Sequence, residues 1–159
     1  LDYSQGSLRK LYEEAIRNFY RVNLPDWQVG ARHLSWPSDG PLDPLFPVMR
    51  TDITLDRPDR TRLIIDTKFT SIVTAGWYRE QSLRSGYIYQ MYAYLRSQVG
   101  CGDALADSAS GLMLHPSVGT MIDETVVIQG HPLRFATVDL AAKPAEIRAQ
   151  LLKCVEVQC

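Results

Sequence analysis

Two aspartates and a lysine carry the chemistry this sequence offers. Asp52 lies in Met49-Arg50-Thr51-Asp52-Ile53, and Asp66 and Lys68 lie in Leu63-Ile64-Ile65-Asp66-Thr67-Lys68-Phe69. On a β-strand, side chains two apart share a face, so Asp66 and Lys68 point the same way and Thr67 the other. If the two segments form a hairpin with its loop over 57–61, Asp56 pairs with Arg62 and each outward step carries the register on until Asp52 stands opposite Asp66. Two carboxylates facing each other at about 5 Å repel, and a divalent cation relieves the repulsion. Mg²⁺ suits such a place, because it takes one or two carboxylates and keeps waters and a phosphate oxygen as its other ligands. There it can polarise a phosphate and acidify an attacking water, while the compact Lys68 ammonium steadies developing negative charge or positions that water.

An Asp-x-Lys triplet occurs often by chance, and an exposed strand ion pair is its plainest meaning. The preceding Leu63-Ile64-Ile65 changes the balance, since an apolar run of this kind belongs to a buried strand, where an unpaired carboxylate is costly. Downstream, Tyr87, Met91 and Tyr94 fall on one helical face with Gln90 among them. An amide on a core-facing stripe needs partners. It can bond nearby backbone, or Gln90 and Tyr94, four apart, can reach the acidic site. In the first helix Glu13 and Glu14 sit at opposite margins of the apolar stripe, so periodicity does not choose between them. His33, His115 and His131 are scattered, which favours surface or core roles over zinc, and no serine or cysteine nucleophile arrangement, P-loop or GxGxxG is present.

The elements that must position these groups are legible from periodicity. Leu8, Leu11, Tyr12, Ala15, Ile16 and Phe19 predict a helix from Leu8 to about Tyr20, capped by Ser7 and followed by Pro25. Residues 35–47 predict an irregular loop. Val48 to Leu55 and Arg62 to Phe69 predict two strands, the first with one buried face. Ser82 to Gln98 predicts a helix packed on the sheet, and Gly111 to His115, Thr125 to Ile128 and Leu133 to Val138 predict further strands. A last helix runs from Pro144 to about Val157, with proline in its favoured first turn. This order predicts an α/β (α+β) architecture, a central mixed sheet flanked by helices.

At 159 residues the chain suits one domain. Its 45% hydrophobic and 22% charged content excludes a disordered or fibrous class. A net charge of -1 is poor equipment for holding a polyanion by bulk attraction, so local placement of cations matters more. No apolar run approaches the roughly 18 residues of a membrane helix. Cys101, Cys154 and Cys159 form no metal or disulfide pattern, which leads us to expect a reducing, cytoplasmic setting. The start, Leu1-Asp2-Tyr3-Ser4, lacks the marks of a signal peptide and an initiator Met, and we expect a fragment of a longer protein.

At these residues the sequence resembles the PD-(D/E)xK nucleases, and among them the C-terminal domain of the McrC family, the nuclease subunit of modification-dependent McrBC restriction systems. The likeness is carried by Met49-Arg50-Thr51-Asp52-Ile53, Ile64-Ile65-Asp66-Thr67-Lys68, the helix segment Ser85-Gly86-Tyr87-Ile88-Tyr89-Gln90-Met91-Tyr92-Ala93-Tyr94, and Gly111-Leu112-Met113-Leu114-His115-Pro116. It spans roughly residues 8–140, and its most specific part is the Q-x-x-x-Y pattern of Gln90 and Tyr94, at the spacing of RecB-like and McrC-like nucleases.

The resemblance implies a restriction-endonuclease-like fold over 1–159, without the N-terminal region that engages the partner. It implies Asp52, Asp66 and the Thr67 carbonyl as ligands of Mg²⁺, with Mn²⁺ a substitute. It further implies Lys68 as catalytic, Gln90 and Tyr94 as its support, and Glu13, which matches better than Glu14, as the first-helix acid. Thr51 stands where the superfamily motif has proline. The implied activity is cleavage of double-stranded DNA, and the implied partner is an AAA+ GTPase subunit of McrB type. A RecB-like repair or recombination nuclease is the alternative within the fold, and a degenerate nuclease-fold assembly module the alternative outside catalysis.

Overall fold

A computed structural model describes residues 3–69, 73–74 and 82–157. In chain order the elements are α1 (Tyr3–Asn23), β1 (Gln28–Gly30), β2 (His33–Leu34), β3 (Met49–Arg50), β4 (Ile53–Asp56), β5 (Arg62–Thr67), β6 (Val73–Thr74), β7 (Ser82–Leu83), α2 (Ser85–Ser97), α3 (Ala104–Asp107), β8 (Ser110–Pro116), β9 (Asp123–Ile128), β10 (His131–Val138) and α4 (Pro144–Cys154). Six strands form a mixed sheet in the order β1-β4-β5-β8-β10-β9, with β5, β8 and β10 mutually parallel and the other neighbours antiparallel. Helices cover both faces, as expected for the mixed α/β class and compatible with a restriction-endonuclease-like fold.

The sheet separates two apolar clusters. On one side Tyr12, Ile16 and Tyr20 of α1 and Leu151 and Cys154 of α4 pack on Ile53, Leu55, Leu63, Ile65, Leu112 and Leu114. On the other, Met91, Tyr94 and Leu95 of α2 pack on Ile64, Met113, Leu133 and Phe135. Leu63 and Ile65 thus face α1 while Ile64 faces α2, the alternation a pleated strand imposes. Gly111 lets α2 sit close, since a Cβ there would lie 2.6 Å from Met91 Sδ and 3.2 Å from Leu133 Cδ2.

Several expectations need adjusting. The first helix already includes Tyr3, so Ser7 lies within it and is no cap. Its inward stripe is Tyr12, Ile16 and Tyr20, whereas Leu8 and Leu11 are exposed; the Tyr20 hydroxyl donates to the Leu151 carbonyl at 2.8 Å and ties α1 to α4. The strand expected over 48–55 is broken at Thr51 and Asp52 into β3 and β4, which belong to different sheets. Nor has β4 one buried face: Ile53, Thr54, Leu55 and Asp56 are all buried, because helices lie on both sides of a central strand. Ser82 and Leu83, expected as helix, pair with β6 instead. The short β1, β2 and α3 carry too few residues to show a period, and sequence reasoning missed them.

Candidate metal-dependent active site

The β4–β5 hairpin has the expected register, with Asp56 on Arg62, Leu55 on Leu63, Thr54 on Ile64 and Ile53 on Ile65. Its loop end is locked by charge. Arg62, only 6% exposed, grips Asp56 with two nitrogens at 2.6 and 2.9 Å and reaches Asp103 with the third. A buried bidentate pair of this kind contributes register more surely than net stability, because desolvation offsets much of the attraction.

At the other end the ladder stops one residue short of Asp52. The Lys68 amide donates to the Leu114 carbonyl of β8 at 3.0 Å, so Thr67, one residue earlier, turns its N–H toward β4. There Asp52 Oδ2 accepts the Thr67 amide at 2.8 Å and the Thr67 hydroxyl at 3.0 Å. Asp52 therefore leans over the end of the ladder rather than standing squarely opposite Asp66, although the two remain near enough for Asp52 to make ionisation of Asp66 harder.

Asp66 is 2% exposed. Burial above all, and Asp52 in addition, lift its carboxyl to about 6 against the pull of Lys68 and, more weakly, Arg9 of α1. Lys68 Nζ lies 3.0 Å from Asp66 Oδ2 and 3.2 Å from Oδ1, and donates to Gln90 Oε1 at 3.0 Å. The Gln90 amide nitrogen then donates to the Tyr94 hydroxyl at 2.8 Å. Asp66, Lys68, Gln90 and Tyr94 thus form one chain of bonds between β5 and α2. Burial, with the nearby Asp66 and Asp52 charges, raises the Tyr94 hydroxyl above its ordinary range despite its bond to Gln90.

Glu13 and Glu14 are both half-buried. Glu13 receives Arg17 at 3.1 Å, and the same Arg17 nitrogen donates to the Asp52 carbonyl at 2.9 Å. Glu13 is therefore joined to Asp52 through a cation.

Three groups beside the site were not assigned from sequence. Arg17 lay unremarked on α1. Tyr87 was counted as part of the apolar stripe, yet Lys68 Nζ lies 5.1 Å from its ring centroid. His115, set aside as isolated, is fully buried on β8 with its ring centroid 5.5 Å from that of Tyr87. The signal for His115 was its register, since it follows Leu114, the partner of Thr67. A cavity of about 290 Å³ touches Tyr94 but none of Asp52, Asp66, Lys68 or Gln90, and is lined instead by Arg32, Arg62, Gln98 and Asp103.

Among the described residues no three His, Cys, Asp or Glu side chains are grouped to hold an ion. Asp66 Oδ2, buried, has no hydrogen bond of good geometry there, its contact to Lys68 notwithstanding. Two carboxylates, one with a buried oxygen short of partners, suit a hard dication that draws its other ligands from water and phosphate. Zinc sites draw more often on histidine or cysteine donors.

No family model and no curated protein matches the sequence. Among solved structures, the chain is similar to one chain of the half-complex from the tetradecameric assembly of Thermococcus gammatolerans McrB AAA+ hexamers with bound McrC. The two share 17% identity with a TM-score of 0.59, over 92% of this chain and 33% of that one. At that identity the likeness speaks for the fold, and this chain spans about a third of the other's length. No helix among the described residues is long and apolar enough to cross a membrane.

Proposed function

We propose that this chain is an Mg²⁺-dependent endonuclease domain that hydrolyses phosphodiester bonds of double-stranded DNA, as the McrC-like subunit of a modification-dependent restriction system. The observation that carries the proposal is the Asp66–Lys68–Gln90–Tyr94 chain of bonds with Asp52 across the hairpin. Asp52 and Asp66, with the Thr67 carbonyl, would hold the ion. Bound there, Mg²⁺ or Mn²⁺ supplies Lewis acidity to a phosphate oxygen and lowers the pKa of an attacking water.

The remaining work falls to this chain's side chains. Lys68, held between Asp66 and Gln90, keeps its ammonium at one spot, where it offsets the negative charge that grows on the phosphate oxygens. Gln90 fixes Lys68, and Tyr94 fixes Gln90. Glu13 acts at one remove, through the Arg17 contact that anchors the Asp52 backbone. A buried carboxyl lifted to about 6 is a cost that a mere scaffold has no reason to bear.

The proposed partner is an AAA+ GTPase of McrB type, a reading supported by the McrB–McrC assembly that holds the similar chain. Such a partner also answers the net charge of -1, since a domain without bulk positive charge gains by having DNA delivered to it. The test is linearisation of plasmid DNA with Mg²⁺, with and without a GTPase encoded beside this protein's gene. Cleavage by the wild type that Asp66→Ala abolishes is the expected result. Equal cutting by the Asp66→Ala variant, or cutting unchanged in EDTA, overturns the proposal.

A further inference from the structure

Arg9, Glu13 and Arg17 follow one another at intervals of four along α1, so they share a face and step by about 6 Å along the helix axis. One end of this row is built into the site, where half-buried Arg17 joins Glu13 to the Asp52 carbonyl. Beside the row, Tyr12 packs edge-on against Phe69 at a centroid distance of 5.3 Å, so α1 passes the chain just after Lys68. Arg9 lies almost one turn beyond Tyr12. It is exposed, and its charge is close enough to Asp66 to favour the ionised carboxylate.

Lys68 is committed on the α2 side, bonded to Asp66 and Gln90. Arg9 is not committed: among the described residues no hydrogen bond or ion pair engages its guanidinium, and Glu13, the acid four positions on, is held by Arg17 at 3.1 Å. A guanidinium left over beside two carboxylates suits an anion that arrives with the substrate, and its planar fork fits two oxygens of a phosphodiester. In a chain of net charge -1, one cation so placed counts for more than bulk charge.

We infer that Arg9 is a substrate-binding residue that takes the phosphodiester next to the one cut, gripping the DNA strand from the α1 side while Lys68 serves the reacting phosphate from the α2 side. The inference rests on the nuclease reading of the Asp52, Asp66 and Lys68 site. The exposed place of Arg9, further out along the helix than Glu13 and Arg17, assigns it to binding and not to the chemical step.

The experiment compares wild type, Arg9→Ala, Arg9→Lys and Arg148→Ala. Arg148 is an exposed cation of α4 that bonds Asn23 at the far end of α1, so its loss removes the same charge away from the site. Binding of a labelled DNA duplex is followed by anisotropy over a KCl series in EDTA, and KM and kcat are measured with Mg²⁺ and the GTPase partner. Arg9→Ala should raise Kd and KM about tenfold with kcat little changed, and should lower the salt slope by about one unit, the signature of one lost phosphate contact. Arg9→Lys should restore the salt slope and only part of the affinity, because an ammonium lacks the fork. Arg148→Ala should match wild type. If wild type cuts DNA while Arg9→Ala keeps its KM and salt slope, loses kcat instead, or changes no more than Arg148→Ala does, the assignment of Arg9 is wrong and the nuclease reading stands. If wild type cuts no DNA, both fall.

Discussion

Asp52 accepts two hydrogen bonds from Thr67 through a single carboxylate oxygen, the amide at 2.8 Å and the hydroxyl at 3.0 Å. The bond pair stands where the β4–β5 ladder ends, so a side chain completes what a backbone carbonyl would otherwise do. It fixes the carboxylate relative to β5, and therefore relative to Asp66 and Lys68 on the same strand.

Thr67→Val keeps the shape and the amide bond but removes the hydroxyl. The loss of one hydrogen bond should cost about 0.5–1.5 kcal/mol of stability in urea unfolding. Partners that orient a metal ligand typically contribute 10–100-fold to metal affinity, so Mg²⁺ affinity, read by calorimetry with duplex present, should fall by about tenfold. Unchanged affinity would mean that Asp52 is held well enough by the amide alone, or is not a ligand.

The Asp66 carboxyl sets a pH dependence of known sign. Its folded value of about 6 exceeds that of an unfolded Asp, about 4, so the folded chain binds this proton more tightly. The resulting stabilisation is complete below about pH 4 and disappears as pH rises through about 6; with two units of separation on a buried group it is of order 3 kcal/mol. In EDTA, Asp66→Asn should therefore exceed wild type in stability at pH 8, by about 1–3 kcal/mol, and the gap should close by pH 4. Mg²⁺ should stabilise the wild type above pH 6 and leave the variant unmoved. Urea midpoints at pH 4, 6 and 8 check both, and a variant less stable than wild type at pH 8 would contradict the assignment.

Gln90 and Tyr94 are bonded in series, Lys68 to Gln90 and Gln90 to Tyr94. Gln90→Leu should lower kcat by about two orders of magnitude, as the loss of a positioned electrostatic group does, and Tyr94→Phe by less. The double variant should be no slower than Gln90→Leu alone. Additive losses would show that Tyr94 reaches the reaction by a route of its own.

How much of this was legible beforehand depended on how far apart the cooperating groups lie in sequence. The Asp56–Arg62 register followed from loop length and period, because a hairpin is a local structure. The Asp66–Lys68 pairing followed from strand alternation, and the Gln90–Tyr94 bond from helical spacing. What failed to show were contacts made across elements. Arg17 meets Asp52 over 35 positions of sequence, and His115 meets Tyr87 only because β8 lies parallel beside β5. The break at Thr51 and Asp52 was hidden as well: Thr51 bonds Thr54 at 2.9 Å and Arg32, whose amide it receives at 2.9 Å, and these polar partners bend a segment whose apolar pattern suggests a straight strand.

The central claim, that Asp52 and Asp66 converge on a place for a hard cation beside Lys68, is tested most directly by Mn²⁺ binding. Electron paramagnetic resonance would titrate free Mn²⁺ against the protein at pH 8 with an uncut duplex present, for wild type, Asp52→Ala and Asp66→Asn. The account predicts tight binding by the wild type that each variant weakens at least tenfold, the loss expected on removing one of two carboxylate ligands. Equal binding by all three proteins would contradict it.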